Sequence, residues 1–190
     1  MALRPALVLG AAAGALLLGG AAVTRTVPPA SRPGPTVVLA RAVLDSMNAI
    51  FTENNRHWDE LADLTTLERM LGTVRPTQRE YLGCLQGRRE GNVVYVDRWL
   101  PARDMKQLQL AVAGNCDGVA DLVGTFHTHP FHADVQNRPV KERALSRQDL
   151  RTFRRGPDAV VLAVWDVDSV DGAVKRERGG VAHPVAIEVE

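Results

Sequence analysis

Cysteine is scarce in this sequence: two residues, Cys84 and Cys116, in a chain of 190. Two are too few for a disulfide scaffold and too few for a thiolate zinc site. They pair if the domain is exported, or else stand as separate buried thiols; their spacing does not choose. An excess of charge of either sign is also absent. The formal net charge is +1 at pH 7, which gives no reason to expect nucleic acid or an anionic membrane surface as the main partner. The Arg-rich patches at Arg88-Arg89 and 151–155 have acidic neighbours and read as solvated faces. Several catalytic signatures are missing as well, with no HExxH helix, no GxSxG elbow and no CxxC. A cysteine nucleophile would have to be Cys84 or Cys116, and Cys84 falls inside a predicted strand beside Gly83.

What is present suffices for one domain, with 45% apolar and 24% charged residues, ordinary values for a folded globular chain. One long hydrophobic run occurs, ALVLGAAAGALLLGGAAV at 6–23, behind the cation Arg4. It matches a secretory signal, with Gly20 and Ala22 suited to the small positions of a cleavage site. The run is also just long enough to span a bilayer as an uncleaved anchor, although its Ala and Gly content favours export with cleavage. The expected location is therefore periplasmic or extracellular, or membrane-anchored through residues 1–23. Residues 24–36, TRTVPPASRPGPT, read as a Pro-rich linker, and the folded domain is expected over 37–190.

From residue 37 to 71, apolar residues recur at helical spacing (Val38, Ala42, Leu44, Met47, Ile50, Phe51, then Leu61, Leu64, Leu67, Leu71). One long helix or two shorter ones fit, with a break near Asn54-Asn55 and a stop at Arg75-Pro76. Residues 80–86 read as a strand closed by Gly87, and 92–100 as its hairpin partner across a turn at 88–91. Residues 107–113 are ambiguous. A strand over 121–127 stops at Pro130, a polar loop follows, and Ser146 opens a helix to about Arg155. Residues 159–167 form a buried strand and 185–189 a closing edge strand. Interleaved helices and strands predict an α/β domain around one mixed sheet.

Three of the five histidines, His127, His129 and His132, fall within six residues. His127 and His129 stand two apart at the end of a predicted strand, so both imidazoles point to one side of the sheet. Alone, such a pair is weak evidence for metal. The run Ser146-Arg147-Gln148-Asp149 is, on its blandest reading, a capping box. Asp149 can serve that box and still present a carboxylate from a well-ordered helix start. Two His and one Asp give three ligands and leave a fourth position open, as catalytic zinc sites do. His57 and His183 read as surface residues, and the loop residues His132 and Asp134 as solvated.

His127-Thr128-His129-Pro130 followed by Ser146-x-x-Asp149 resembles the HxHP…SxxD signature of the JAMM (JAB/MPN/Mov34) zinc metallopeptidases, of bacterial type. Their glutamate lies upstream, at the head of a strand reading E-x-x-G-x-L-x-G, and this chain reads EYLGCLQG from Glu80 to Gly87. The resemblance implies an MPN-like domain, a mixed sheet flanked by helices and layered like the cytidine deaminases. It implies one Zn2+ per chain on His127, His129 and Asp149. It also implies Glu80 as the base that deprotonates the attacking water, and Ser146 as an oxyanion donor. One departure is the fifteen residues between Pro130 and Ser146, roughly twice the span of the better-known eukaryotic members; loops lengthen at little thermodynamic cost.

The activity so implied is cleavage of a peptide or isopeptide bond in a protein or peptide substrate, with ubiquitin-like proteins among the family's substrates. Those are mainly intracellular, so the leader and the resemblance pull apart on the substrate. The rival from another class is a non-catalytic MPN-type scaffold, which would be expected to lack one of the four residues Glu80, His127, His129 and Asp149. All four are here.

Overall fold

The computed structural model describes residues 34–55, 78–108, 110–133 and 139–190, the side chains of 132, 133 and 139 excepted. The leader, most of the linker, Asp134, and the helical expectation over 56–77 with His57 lie outside them. Among the described residues no helix is long and apolar enough to cross a membrane.

The chain forms β1 (Thr36–Leu39), α1 (Arg41–Asn55), β2 (Leu82–Glu90), β3 (Val93–Pro101), β4 (Arg103–Gln107), β5 (Val112–Asn115), β6 (Leu122–Thr128), β7 (His132–Ala133) and β8 (Pro139–Val140). It continues with α2 (Arg147–Arg155), β9 (Val160–Asp166), β10 (Ser169–Val174), β11 (His183–Pro184) and β12 (Ala186–Val189). Eight strands make one mixed sheet in the order β11-β10-β9-β6-β2-β3-β1-β12, while β4-β5 and β7-β8 are separate two-stranded ribbons. The described residues fall in one compact unit.

Alternation along the central strands sorts their side chains onto two faces. Phe126, Leu162, Val164 and Leu85 join the main core with Val43, Leu44, Met47 and Phe51 of α1. Those helix positions lie one turn apart, as a single buried stripe requires. Trp99 Nε1 donates to Ser46 Oγ at 2.7 Å, tying β3 to the same helix. On the other face, Val161 and Ala173 pack with Phe153 of α2. His127 and Thr125 belong to that second face, as do Leu82 and Cys84, which pair directly with them across β2 and β6. Gly83 faces the first side, where a Cβ would lie 2.0 Å from the Phe126 ring.

Three expectations need correction, one ambiguity resolves and one strand went unread. Residues 36–39 are a strand, not the start of a helix: β1 lies between β3 and β12 and all four residues are buried. A strand buried on both faces reads as a continuous apolar run, and here it ran into the helical spacing of α1. The strand expected to close at Gly87 instead continues to Glu90. Gly87 marks a register shift and approaches Tyr95 so closely that a Cβ would sit 1.8 Å from its carbonyl oxygen, a bulge rather than an end. The turn is correspondingly tighter, Gly91-Asn92, with Gly91 at φ 59°, the positive value a two-residue hairpin needs. Of the ambiguous stretch 107–113, Gln107 pairs with Val112 at the far end of the β4-β5 ribbon. β10 (SVDGAV) went unread because an Asp and a Gly interrupt its apolar pattern; Gly172 stands where a Cβ would be 2.6 Å from Leu162.

The strands at 122–128 and 160–166, the helix opened by Ser146 and the edge strand β12 lie where expected, within a residue or two. The fold is accordingly an α/β domain with one mixed sheet between α1 and α2. A buried amine fixes the C-terminal end of α2: Lys175 Nζ donates to the carbonyls of Phe153 and Gly156.

Candidate metal centre

β6 delivers both histidines. His127 lies inside the strand, and His129 stays in line one residue beyond it because its N–H donates to Val164 O on β9 at 2.8 Å. Both residues are buried. Their Nε2 atoms lie 2.9 Å apart.

The third group comes from α2. Ser146 caps this helix with Oγ accepting the Asp149 N–H at 3.1 Å, and Asp149 Oδ2 accepts the Ser146 N–H at 2.7 Å, so the capping box is present. The same Oδ2 lies 3.5 Å from His127 Nε2 and 3.4 Å from His129 Nε2. The capping reading of Asp149 therefore holds, and the same carboxylate oxygen stands where a metal ligand could. The His129 Nδ1 faces the Glu142 carbonyl at 3.3 Å. A proton on Nδ1 satisfies that contact and leaves the Nε2 lone pair facing the cluster, the outer-partner arrangement common to metal-bound imidazoles.

These atoms fit a divalent metal. The three candidate ligands all lie within 4.8 Å of one another. Tetrahedral zinc with bonds of about 2.0–2.1 Å sets its ligands roughly 3.3–3.4 Å apart, and two of the three separations already match. The donor set of two imidazoles and one carboxylate suits the same ion. A cleft of about 730 Å³ opens over the cluster, and among its described lining residues there is no Lys or Arg to neutralise the carboxylates.

Glu80 lines this cleft with Ser146 and the triad. It lies two residues ahead of β2, is buried, and has its carboxyl pushed up to about 7. Burial is the main cause; the imidazole of His129 opposes it, and the charges of Asp149 and Glu142 add to it. Asp149 goes the other way. Burial would raise its carboxyl, but hydrogen bonds from His127, His129 and Ser146 outweigh that and hold it far below the usual range. For His129, burial disfavours the imidazolium, yet the hydrogen bond and charge of Asp149, with the Glu142 carbonyl, raise it overall.

The structure thus brings together all five residues singled out from the sequence: Glu80, His127, His129, Ser146 and Asp149. His183 is exposed on β11. Cys84 and Cys116 are joined in a disulfide, which decides between the two readings left open and removes either as a nucleophile. Thr128 was missed. Fully buried between the two histidines, it points to the opposite face, where its Oγ1 accepts the Tyr81 N–H at 2.9 Å and its own N–H donates to Tyr81 O at 3.0 Å. Those bonds pin the segment that carries Glu80 to the strand that carries the two histidines. A hydroxyl at a buried strand position was the available signal.

No protein-family model matches the chain, and no curated protein matches it in sequence. Among solved structures it is similar to the crystal structure of a JAB1/MPN domain protein from Archaeoglobus fulgidus. That match has 16% identity, covers 81% of this chain and 98% of the other, and has a TM-score of 0.35, a likeness too slight to argue from.

Proposed function

We propose that this chain is a zinc-dependent hydrolase of the JAMM type that cleaves a peptide or isopeptide bond. One observation carries the reading: His127, His129 and Asp149 Oδ2 converge at ligand spacing in a cleft that also holds a buried glutamate tuned to about 7.

The bound metal would supply Lewis-acid polarisation of the scissile carbonyl and acidify a water in the open position. Glu80 accepts a proton from the attacking water on its carboxylate and passes it to the leaving amine. A carboxyl near 7 suits both halves of that task, since it takes and releases a proton at neutral pH. Ser146 Oγ spends a lone pair on the Asp149 N–H, which leaves its hydroxyl proton to donate to the developing oxyanion. The Glu142 carbonyl holds the tautomer of His129, and the Ser146 N–H holds the carboxylate of Asp149.

Export is part of the proposal. A disulfide persists in oxidising compartments, so the Cys84–Cys116 bond supports the secretory reading of the leader. The substrate is then an amide of the cell envelope or the extracellular space rather than a ubiquitin-like protein.

The test is elemental analysis of the purified full chain beside Asp149→Ala, followed by peptide and isopeptide libraries with Glu80→Gln as the control. One zinc per wild-type chain, lost in Asp149→Ala, with hydrolysis lost in a zinc-bearing Glu80→Gln, is the expected result. A folded chain that takes up no zinc when it is supplied would put the scaffold reading in its place.

A further inference from the structure

We infer that the β4-β5 ribbon, clamped by the Cys84–Cys116 disulfide and by Gln107, is the element that positions Glu80, so that opening the disulfide disables the site. This rests on the hydrolase reading for its consequence, though not for its geometry.

Glu80 lies outside the sheet, and its main-chain bonds go to the ribbon. Its N–H donates to Leu108 O at 2.9 Å, and its carbonyl accepts Gln107 Nε2 at 3.0 Å. Only at Tyr81 does the chain bond to β6, through Thr128. The placement of the Glu80 carboxyl in the cleft it shares with the imidazoles therefore depends on where the end of the ribbon sits.

Among the described residues the ribbon has few hydrogen bonds to the main sheet. It is a two-stranded unit apart from the main sheet, and its ladder shifts register between Arg103 and Lys106. At its base the Ala102 N–H donates to Leu82 O at 3.1 Å. Gly114 lies flat against that base, where a Cβ would come within 2.8 Å of Ala102 and 3.1 Å of Leu82. The β5 leg is then fixed covalently, since Cys116 follows β5 directly and is bonded to Cys84, which pairs with Thr125 on the face that carries His127.

The two sulfurs differ in access. Cys84 is fully buried, whereas Cys116 is half-buried and borders the cleft. A dithiol reductant would attack Cys116 Sγ as its thiolate, forming a mixed disulfide while Cys84 leaves as thiolate and takes up a proton. The second thiol of the reductant then displaces Cys116. Two electrons pass to the protein, which ends with two thiols, and the reductant ends as its own disulfide. Displacement of a reacting group by about 1 Å costs roughly 10²-fold in rate, so a freed ribbon suffices to silence Glu80 without touching the metal ligands.

The experiment compares amide hydrogen exchange at Glu80, whose N–H bonds to the ribbon, with that at His129, whose N–H bonds to β9. It uses the metal-free full chain, oxidised and after dithiothreitol. Zinc content and steady-state kinetics are then measured on zinc-loaded wild type, on the double variant Cys84→Ala/Cys116→Ser, and on Gln107→Ala. Exchange at Glu80 should rise at least tenfold with His129 unchanged. Both variants should keep their zinc and lose kcat by about 10–100-fold, with KM moving less. Unchanged protection of Glu80, or equal acceleration at Glu80 and His129, would overturn the inference; the second would mean that the disulfide only stabilises the whole fold. If the oxidised zinc-loaded chain hydrolyses nothing, the hydrolase reading has failed, and the exchange data still decide whether the ribbon holds Glu80.

Discussion

Replacing Glu80 by Gln should stabilise the metal-free chain at pH 8 while abolishing turnover. In the folded chain this carboxyl is held at about 7 against an ordinary value of 4.5, because a carboxylate is costly to bury. A raised folded value means that the neutral form is the one the fold favours. Stability is therefore intact below 4.5, falls as the pH climbs from there to about 7, and is level above. The gap between the two values corresponds to about 3 kcal/mol as a ceiling, and solvent reaching the cleft reduces this to roughly 1–2 kcal/mol. Gln keeps the shape and loses the charge, so its gain over wild type should be small at pH 5 and reach that size at pH 8. His129 and Asp149 also bend the pH profile, in opposite senses. The raised His129 contributes stability at low pH that is lost as the pH rises, and the depressed Asp149 contributes stability at high pH that is lost as it falls. Both are present in the two proteins, so what remains of them in the difference is their coupling to the Glu80 charge. Urea unfolding of chelator-treated full chain at both pH values measures it. Stabilities that run parallel from pH 5 to pH 8 would refute the argument that Glu80 is strained by burial.

Zinc binding should weaken at low pH. Pairing with Asp149 keeps a proton on His129 to a higher pH than usual, so binding must expel it; calorimetry in buffers of different ionisation enthalpy should show proton release that shrinks as the pH rises. Thr128→Val keeps the shape and leaves the Tyr81 N–H without its acceptor, which should cost about 1–3 kcal/mol by urea unfolding. Ser146→Ala should cost about 1 kcal/mol from the lost cap and slow turnover by roughly 10²–10³ in steady-state assays. Asp149→Asn retains an oxygen to accept the Ser146 N–H but loses the charge that the depressed carboxyl contributes at neutral pH, so the metal-free chain should melt at a lower temperature while zinc uptake falls at least tenfold by calorimetry.

What could be read from the sequence depended on how local the determining interactions are. His127 and His129 share a face because strand side chains alternate, and Ser146 and Asp149 form a box because they sit three apart at a helix start; both rules act within a few residues. The Glu80 motif lies at the site because β2 pairs antiparallel with β6, setting Leu82 opposite His127, a relation the hairpin pattern only suggests. β1 was unreadable for the opposite reason. Its four residues are buried and paired with β3 and β12, strands that arrive 57 and 150 residues later in the register of their pairing, and nothing local separates them from the helix that follows. The ribbon was ambiguous because much of what fixes it, the disulfide and the contacts to Glu80 and Leu82, lies outside its own sequence.

Asp149 shows why this arrangement suits a cation better than an isolated HxH pair. An acid in the first turn of a helix sits in the positive end of the helix dipole, and here its Oδ2 also accepts the Ser146 N–H at 2.7 Å. Hydrogen bonds from His127 and His129, together with the one from Ser146, outweigh burial and keep the carboxylate ionised well below the usual range, so protons compete little for it near neutral pH. They also lower its basicity and hence its strength as a donor. The geometry offsets that loss, because the oxygen is already aimed at both Nε2 atoms and little side-chain freedom remains to be lost on binding. Glu80, by contrast, has no such donor among the described residues and is shifted upward in the same cleft. In the proposed hydrolase, two carboxyls with opposite surroundings would divide the work: the one fixed at a helix start would be committed to the metal, and the one buried at the end of a ribbon would carry a proton.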